Sequence, residues 1–172
     1  MRRRGGRLGV VTFSDVYWMA ETIYMYLPAY LANAAPVLAG GGKPLDEGRT
    51  WRDGKPILGG HKTVRGTVTG IAVGSLVGLI QMQPLRGILL AVGAIGGDLT
   101  IAFLKRRLGL KPGSPLPIAD QLGFIVFAIA LSSFLPPPPS WERAVAIIVA
   151  TIPIHFITNF FAWLLKLKAH PW

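Results

Sequence analysis

The chain has 172 residues, of which 51% are hydrophobic and only 15% charged, with a mean hydropathy of +0.47. A soluble domain averages roughly 25% charged residues, so this composition excludes an ordinary soluble fold and points to an all-α integral membrane protein. The 18 Lys and Arg outnumber the 8 Asp and Glu, an excess that suits nucleic acid, anionic lipid headgroups or phosphorylated substrates. Absent cysteine excludes disulfides and thiol chemistry, and three scattered histidines argue against structural zinc.

The N-terminus is basic and then apolar, like a signal peptide, but no A-x-A-type cleavage site follows. It reads as a retained first span over about 15–39, with Asp15, Glu21 and several tyrosines at an interfacial outer turn. Pro28 and Pro36 are expected to kink or break this span, with Pro36 as a candidate end. Asn33 lies deep in it, suited either to an interhelical hydrogen bond or to a polar substrate group. The second span, 64–82, repeats glycine every four residues at Gly66, Gly70, Gly74 and Gly78, the pattern of close helix packing. Further spans are expected at 85–104, 118–135 and 144–165, which gives five in one membrane domain. On the fifth, His155 beside Pro153 reads as a packed core histidine. Between the last two spans, "PPPPSWER" reads as a stiff cap with no catalytic surface.

The two remaining loops, 40–63 and 105–117, carry chemistry. The first offers Lys43, Arg49, Arg52, Lys55, Lys62 and, at the helix edge, Arg65 among many glycines. Gly40, Gly41, Gly42, Gly59 and Gly60 would let backbone N–H groups approach phosphates, although no P-loop is present. A solvated, partly flexible loop is the plainer reading, and His61 reads as a loop hydrogen-bonding residue. With five spans, these loops and the C-terminus share one side holding 12 basic residues, against 6 on the other, counting Arg65 with the first group. The basic side is expected to face the cytoplasm, with the N-terminus outside; the four N-terminal arginines pull the other way.

Asp98 is the costly residue. A carboxylate at mid-helix depth in a membrane costs roughly 2.5–3.5 kcal/mol. Lys105 follows it by seven residues, about two helical turns, so both share a face about 10 Å apart. Asp120 opens span four at the same side. Two convergent carboxylates beside Lys105, Arg106 and Arg107 suit a hard divalent ion, Mg²⁺, held against a phosphate. An intramembrane salt bridge for Asp98 and a positive-inside anchor for the basic run are the competing readings.

The segment "GDLTIAFLKRRLGLKPGSPLPIADQLGF", with "PAYLANAAPVLAGGGKPLD" and "LGGHKTVRG", resembles the membrane CTP:phosphate cytidylyltransferases that make CDP-lipids, and most nearly their archaeal CDP-archaeol synthase branch. The resemblance spans nearly the whole chain. It implies transfer of CMP from CTP to an isoprenoid glycerol-ether phosphate, giving CDP-archaeol and pyrophosphate with Mg²⁺. It makes Asp98 and Asp120 metal-holding and catalytic, with Lys62, Lys105 and Arg106 beside them. Asn33, Pro36, Gly41, Gly42, Lys43, Gly60, His61, Thr63, Arg65, Arg107 and Gln121 become candidates for binding nucleotide or lipid head. It also implies CTP over ATP, a lipid phosphate as partner and no nucleic acid, and it leaves a homodimer open. The bacterial pattern has Lys-Asp where Lys111-Pro112 stands, a His-Gly-Gly that is lacking, and a second Asp where Gly123 stands. Fewer carboxylates argue against a two-metal site. A transporter or flippase for a phosphorylated lipid or anion is the alternative, though no inverted repeat is visible.

Overall fold

The computed structural model describes residues 12–39 and 41–167. Gly40 and the N-terminal arginines that weighed on the topology lie outside the described residues. Five helices follow in chain order: α1 (Phe13–Leu38), α2 (Val64–Ile80), α3 (Pro84–Arg107), α4 (Ala119–Ser132) and α5 (Trp141–Leu164). Two of them, α3 and α5, are both long and apolar enough to cross a membrane, with mean hydropathies of 2.0 and 1.9. Helices α2 and α4 are apolar but shorter.

Helix α1 starts at a capping box, in which Thr12 and Asp15 satisfy each other's backbone N–H groups. It then runs through both Pro28 and Pro36 and ends at Leu38, so the expected break at Pro36 does not occur. Pro36 packs against the Gly66 edge of α2. Proline is tolerated inside such a helix where neighbouring structure supports the backbone. Helix α3 likewise runs further than expected. Lys105, Arg106 and Arg107 form its last turn and are not loop residues, a placement that opposes the negative end of the helix dipole.

The packing is built from glycine and alanine. The buried residues of α2 are Gly66, Gly70, Gly74 and Gly78, the whole four-residue stripe. A Cβ at Gly74 would lie 2.7 Å from the Pro28 carbonyl of α1 and 2.6 Å from Ala91 of α3. At Gly78 it would lie 2.3 Å from Gly87 Cα. Helix α2 is thus wedged between α1 and α3. Gly93 and Gly97 repeat the device between α3 and α4, where a Cβ at Gly97 would come within 2.4 Å of the Gly123 carbonyl. Between apolar helices in lipid, this closeness gains van der Waals contact without a hydrophobic driving force.

Helix α5 is the outlier. Only Ile147 and Thr151 are buried on it, with the Tyr30 hydroxyl 2.6 Å from that of Thr151. Arg143 at its start pairs with Glu21 at 2.6 Å, and Arg86 donates to the Pro137 carbonyl at 2.8 Å. Those contacts gather the starts of α1, α3 and α5 at one end of the bundle. The two basic loops meet at the other end.

Candidate active site

The first loop is folded, and its fold follows from a few strong contacts. Its two ends are zipped together: Leu45 N donates to the Lys62 carbonyl at 2.7 Å, and Val64 N to that of Lys43 at 3.1 Å. In the middle, Trp51 and Lys55 turn back on themselves, and Ile57 N bonds the Arg49 carbonyl. Asp46, 8% exposed, organises the rest. Its carboxylate accepts from Gly48 N at 3.1 Å, Leu58 N at 2.8 Å and Gly59 N at 3.0 Å. Burial pushes the Asp46 carboxyl up, but the N–H groups of Gly59, Leu58 and Gly48 outweigh it and hold the group below its ordinary value.

This loop is fastened to the end of α3. Trp51 packs edge-on against Phe103, with ring centroids 5.3 Å apart. Arg107 lies over the Phe103 ring and donates to the Asp53 carboxylate and the Pro56 carbonyl. Lys55 Nζ reaches the Arg107 carbonyl at 3.0 Å. One expectation changes here: Lys55, expected in a solvated loop, is half-buried and serves as a strut. Arg107, expected among the nucleotide-binding residues, lies at the same junction, its guanidinium held by Asp53, Lys55 and Pro56. Arg106 is 4% exposed; its Nη2 donates to the Lys111 carbonyl at 2.9 Å, and it lies under the Gly59 turn. It joins the two loops from beneath and presents no exposed phosphate-facing surface.

Two lysine–carboxylate pairs remain at this end. Lys62 Nζ lies 2.6 Å from Asp98 Oδ2, both side chains about a third exposed at 29% and 35%. Lys62 immediately precedes the α2 cap. Lys105 Nζ reaches both oxygens of Asp120, at 2.9 and 2.7 Å. Asp120 also accepts from Leu116 N at 2.7 Å, which ties the second loop to the start of α4. Asp98 and Asp120 therefore each have an ammonium counter-ion, as a carboxylate at membrane depth requires.

The other candidates fall around these pairs. Thr63 is 6% exposed and caps α2 by accepting from Gly66 N, so its hydroxyl is committed to the helix. Arg65 donates to the Ala39 carbonyl at 2.9 Å, and its guanidinium packs on Gly41. Gly41 and Gly42 have φ of +91° and +88°, a region that glycine adopts without strain. Lys43, Gly60 and His61 are exposed at the loop surface. Asn33 and Pro36 are half-buried, with Pro36 one turn after Asn33 on α1.

Asp120 and Gln121 also line a cavity of about 100 Å³ with His155 and Asn159 of α5. His155 is thus no packed core histidine: one side stacks near Phe124, with centroids 6.3 Å apart, and the residue lines the cavity. Sequence reading passed over Asp46, Asn159 and this role of His155. The signals were present, as Asp46-x-Gly48 is an Asx-turn pattern and His155 and Asn159 stand four apart on one helix face.

The donor set suits Mg²⁺. It consists of carboxylate oxygens from two helices, each partly exposed, and Mg²⁺ takes one or two carboxylates plus substrate phosphates and water. Among the described residues, no group of three or more His, Cys, Asp or Glu forms a closed cage.

The comparisons agree along nearly the whole length. A family model described as CarS-like, CDP-archaeol synthase, matches residues 16–86 and 82–172. A CDP-archaeol synthase of Pyrococcus furiosus is 42% identical over 163 residues, covering 88% of this chain and 97% of the relative. Those of Aeropyrum pernix and Methanopyrus kandleri are 41% and 39% identical, covering 88% and 90% of this chain and 91% and 94% of theirs. A solved structure, described as an intramembrane enzyme for archaeal membrane lipids biosynthesis, superposes with a TM-score of 0.77 at 37% identity. It covers 82% of this chain and 94% of its own. With loops, paired carboxylates and glycine-packed helices all within the matched residues, the chain belongs to the CarS-like family of CDP-archaeol synthases.

Proposed function

We propose that this chain transfers the CMP moiety of CTP to an isoprenoid glycerol-ether phosphate, giving CDP-archaeol and pyrophosphate at the basic end of the bundle. A phosphate oxygen of the lipid attacks the α-phosphorus of CTP. The new P–O bond forms as the α–β bridge bond breaks, and its electrons leave with pyrophosphate. The nucleophile is already anionic, so the chain needs no strong base. It must align the two substrates and balance charge.

The observation that carries this reading is the pair of lysine–aspartate contacts where the two loops meet the helices. Lys62 and Lys105 are partly exposed and paired with carboxylates, able to turn from carboxylate to phosphate. Arg106, Arg107 and Asp46 hold the loops that carry them. Asp98 and Asp120 would hold Mg²⁺, which when bound supplies positive charge against the triphosphate oxygens. The glycine-rich turns at 41–42 and 59–60 give the nucleotide access to backbone N–H groups. All five helices cross the bilayer in this reading. The basic end faces the cytoplasm and the start of α1 lies outside, as the Lys/Arg distribution directs.

The test uses purified protein in detergent with CTP, Mg²⁺ and an archaeal-type lipid phosphate. Release of pyrophosphate that requires all three is expected. Movement of the lipid phosphate across vesicles without pyrophosphate release would favour a flippase instead. Light scattering of the same preparation separates a homodimer from a monomer.

A further inference from the structure

The end of the bundle opposite the loops holds a second polar cluster, remote from both lysine–aspartate pairs. A small cavity lies there among Met25 and Tyr26 of α1, Arg86 and Leu90 of α3, Ser132 of α4 and Pro139. Its volume of about 10 Å³ is room for one water-sized particle. Tyr26 is 2% exposed, and its buried hydroxyl has no hydrogen-bond partner among the described residues. A buried hydroxyl left unpaired is costly, so native structures give it a partner. The mechanism at the loop end makes no use of this group.

Charge and hydrogen-bonding capacity select that partner. Arg86 is half-buried and donates to the Pro137 carbonyl at 2.8 Å and, more weakly, to that of Leu135 at 3.5 Å. It forms no ion pair among the described residues. Asp15 closes its own capping box, Glu21 pairs with Arg143, and neither they nor Glu142 line the cavity. Arg86 also stands in the first turn of α3, which has no side-chain cap, so the positive end of the helix dipole adds to its charge. Ser132 is 1% exposed, and its hydroxyl donates to the Ile129 carbonyl at 3.0 Å. That carbonyl also accepts from Ser133 N at 3.0 Å and Ser133 Oγ at 2.8 Å. The Ser132 hydroxyl is therefore free to rotate without stranding an acceptor. Two hydroxyl donors and one uncompensated guanidinium then surround one small space.

We propose that this cavity binds a single monatomic anion of the halide class, such as chloride, held by Tyr26, Arg86 and Ser132. A water molecule would satisfy the phenol but leave Arg86 without a counter-charge. A polyatomic anion such as phosphate exceeds the space. The bound ion joins α1, α3 and α4 at the point where Arg86 also fastens the proline cap. Its role is to stabilise the fold, and the inference does not depend on the cytidylyltransfer reading.

The experiment follows thermal unfolding of the purified protein in detergent. Sodium chloride or sodium bromide is titrated against sodium gluconate at constant ionic strength. Both halides should raise the midpoint saturably, by roughly 2–5 °C, as a ligand that binds only the folded state does. Tyr26→Phe removes a single oxygen atom and should abolish most of that rise. Ser132→Ala should reduce it. Arg86→Gln should abolish it as well; where that variant does not elute as a monodisperse species, Tyr26→Phe decides. Crystals grown in bromide should show an anomalous peak between Tyr26 and Arg86. A midpoint that is the same in halide and in gluconate overturns the proposal. So does a halide-dependent rise that Tyr26→Phe leaves intact. A Tyr26→Phe midpoint lowered equally in every salt, with no bromide peak, assigns the cavity to a water molecule and overturns the anion.

Discussion

The two lysine–aspartate pairs look alike in composition and differ in construction. Lys62 and Asp98 are 36 residues apart and join the mouth of the first loop to the interior of α3. Lys105 and Asp120 are 15 apart and join the end of one helix to the start of the next. Asp120 is further engaged by Leu116 N, whereas Asp98 Oδ2 meets only Lys62 among the contacts described. Two similar ion pairs can therefore divide their work. The Asp120 pair holds a loop as well as a charge. The Asp98 pair ties the loop mouth to α3 through one lysine alone, with no backbone donor to Asp98 among the described contacts.

The sharpest way to break this comparison is to remove each carboxylate. Asp98→Asn keeps size and removes charge, so pyrophosphate release should fall by at least about 100-fold, on the scale of lost electrostatic stabilisation at a reacting centre. Thermal unfolding in detergent should stay near wild type. Asp120→Ala should lose comparable activity and also lower the unfolding midpoint, since Leu116 N loses its acceptor. Equal unfolding midpoints would erase the distinction between the pairs.

The lysines sharpen it further. Lys62→Ala should lower kcat/KM for CTP about 10- to 150-fold, the value of a charge-assisted phosphate contact of roughly 1.5–3 kcal/mol. Lys55→Ala removes a strut to the Arg107 carbonyl and should cost about 1 kcal/mol of loop docking with a change of only a few-fold in kcat/KM. A loss at Lys55 as large as at Lys62 would mean that loop docking, not phosphate contact, limits the reaction.

Asp46 supplies a pH test of the loop that carries Lys62. Its carboxyl is held below the ordinary value, near 3.8, by three N–H donors against the cost of burial. A depressed folded-state value adds stability above the unfolded value, and that stability is lost as pH falls through the folded one. Protease protection of residues 41–63 should thus be steady at neutral pH and decline below about pH 4. Asp46→Asn should weaken protection already at neutral pH and flatten that decline. A decline of the same depth in the variant would assign it to another group.

The smallest effects test the packing that fixes both pairs. Gly97→Ala places a methyl group 2.4 Å from the Gly123 carbonyl, one residue from Asp98, so α3 and α4 must part. A loss of about 1–3 kcal/mol is expected, as for overpacked cores. Gly60→Ala meets nothing within 4 Å and should leave the unfolding midpoint unchanged.

Much of this was legible from residue order, because the membrane makes local rules strict. Backbone polar groups must be satisfied within each apolar segment, so runs of apolar residues become helices near the expected bounds. Glycine every four residues becomes a packing stripe, because in lipid only backbone approach gains contact. A carboxylate at depth must find a partner, so Asp98 declared itself as soon as its cost was counted. The tertiary structure decided which partner. Lys62 is remote in sequence, and it meets Asp98 only because the α2 glycine stripe brings that helix against α3. It also decided which bases are struts. Lys55, Arg106 and Arg107 are indistinguishable in composition from Lys62 and Lys105, and what separates them is the carbonyl groups that the folded loop turns toward them. His155 and Asn159 lie 35 and 39 residues after Asp120. No local rule brings them to its cavity; the return of α5 beside α4 does.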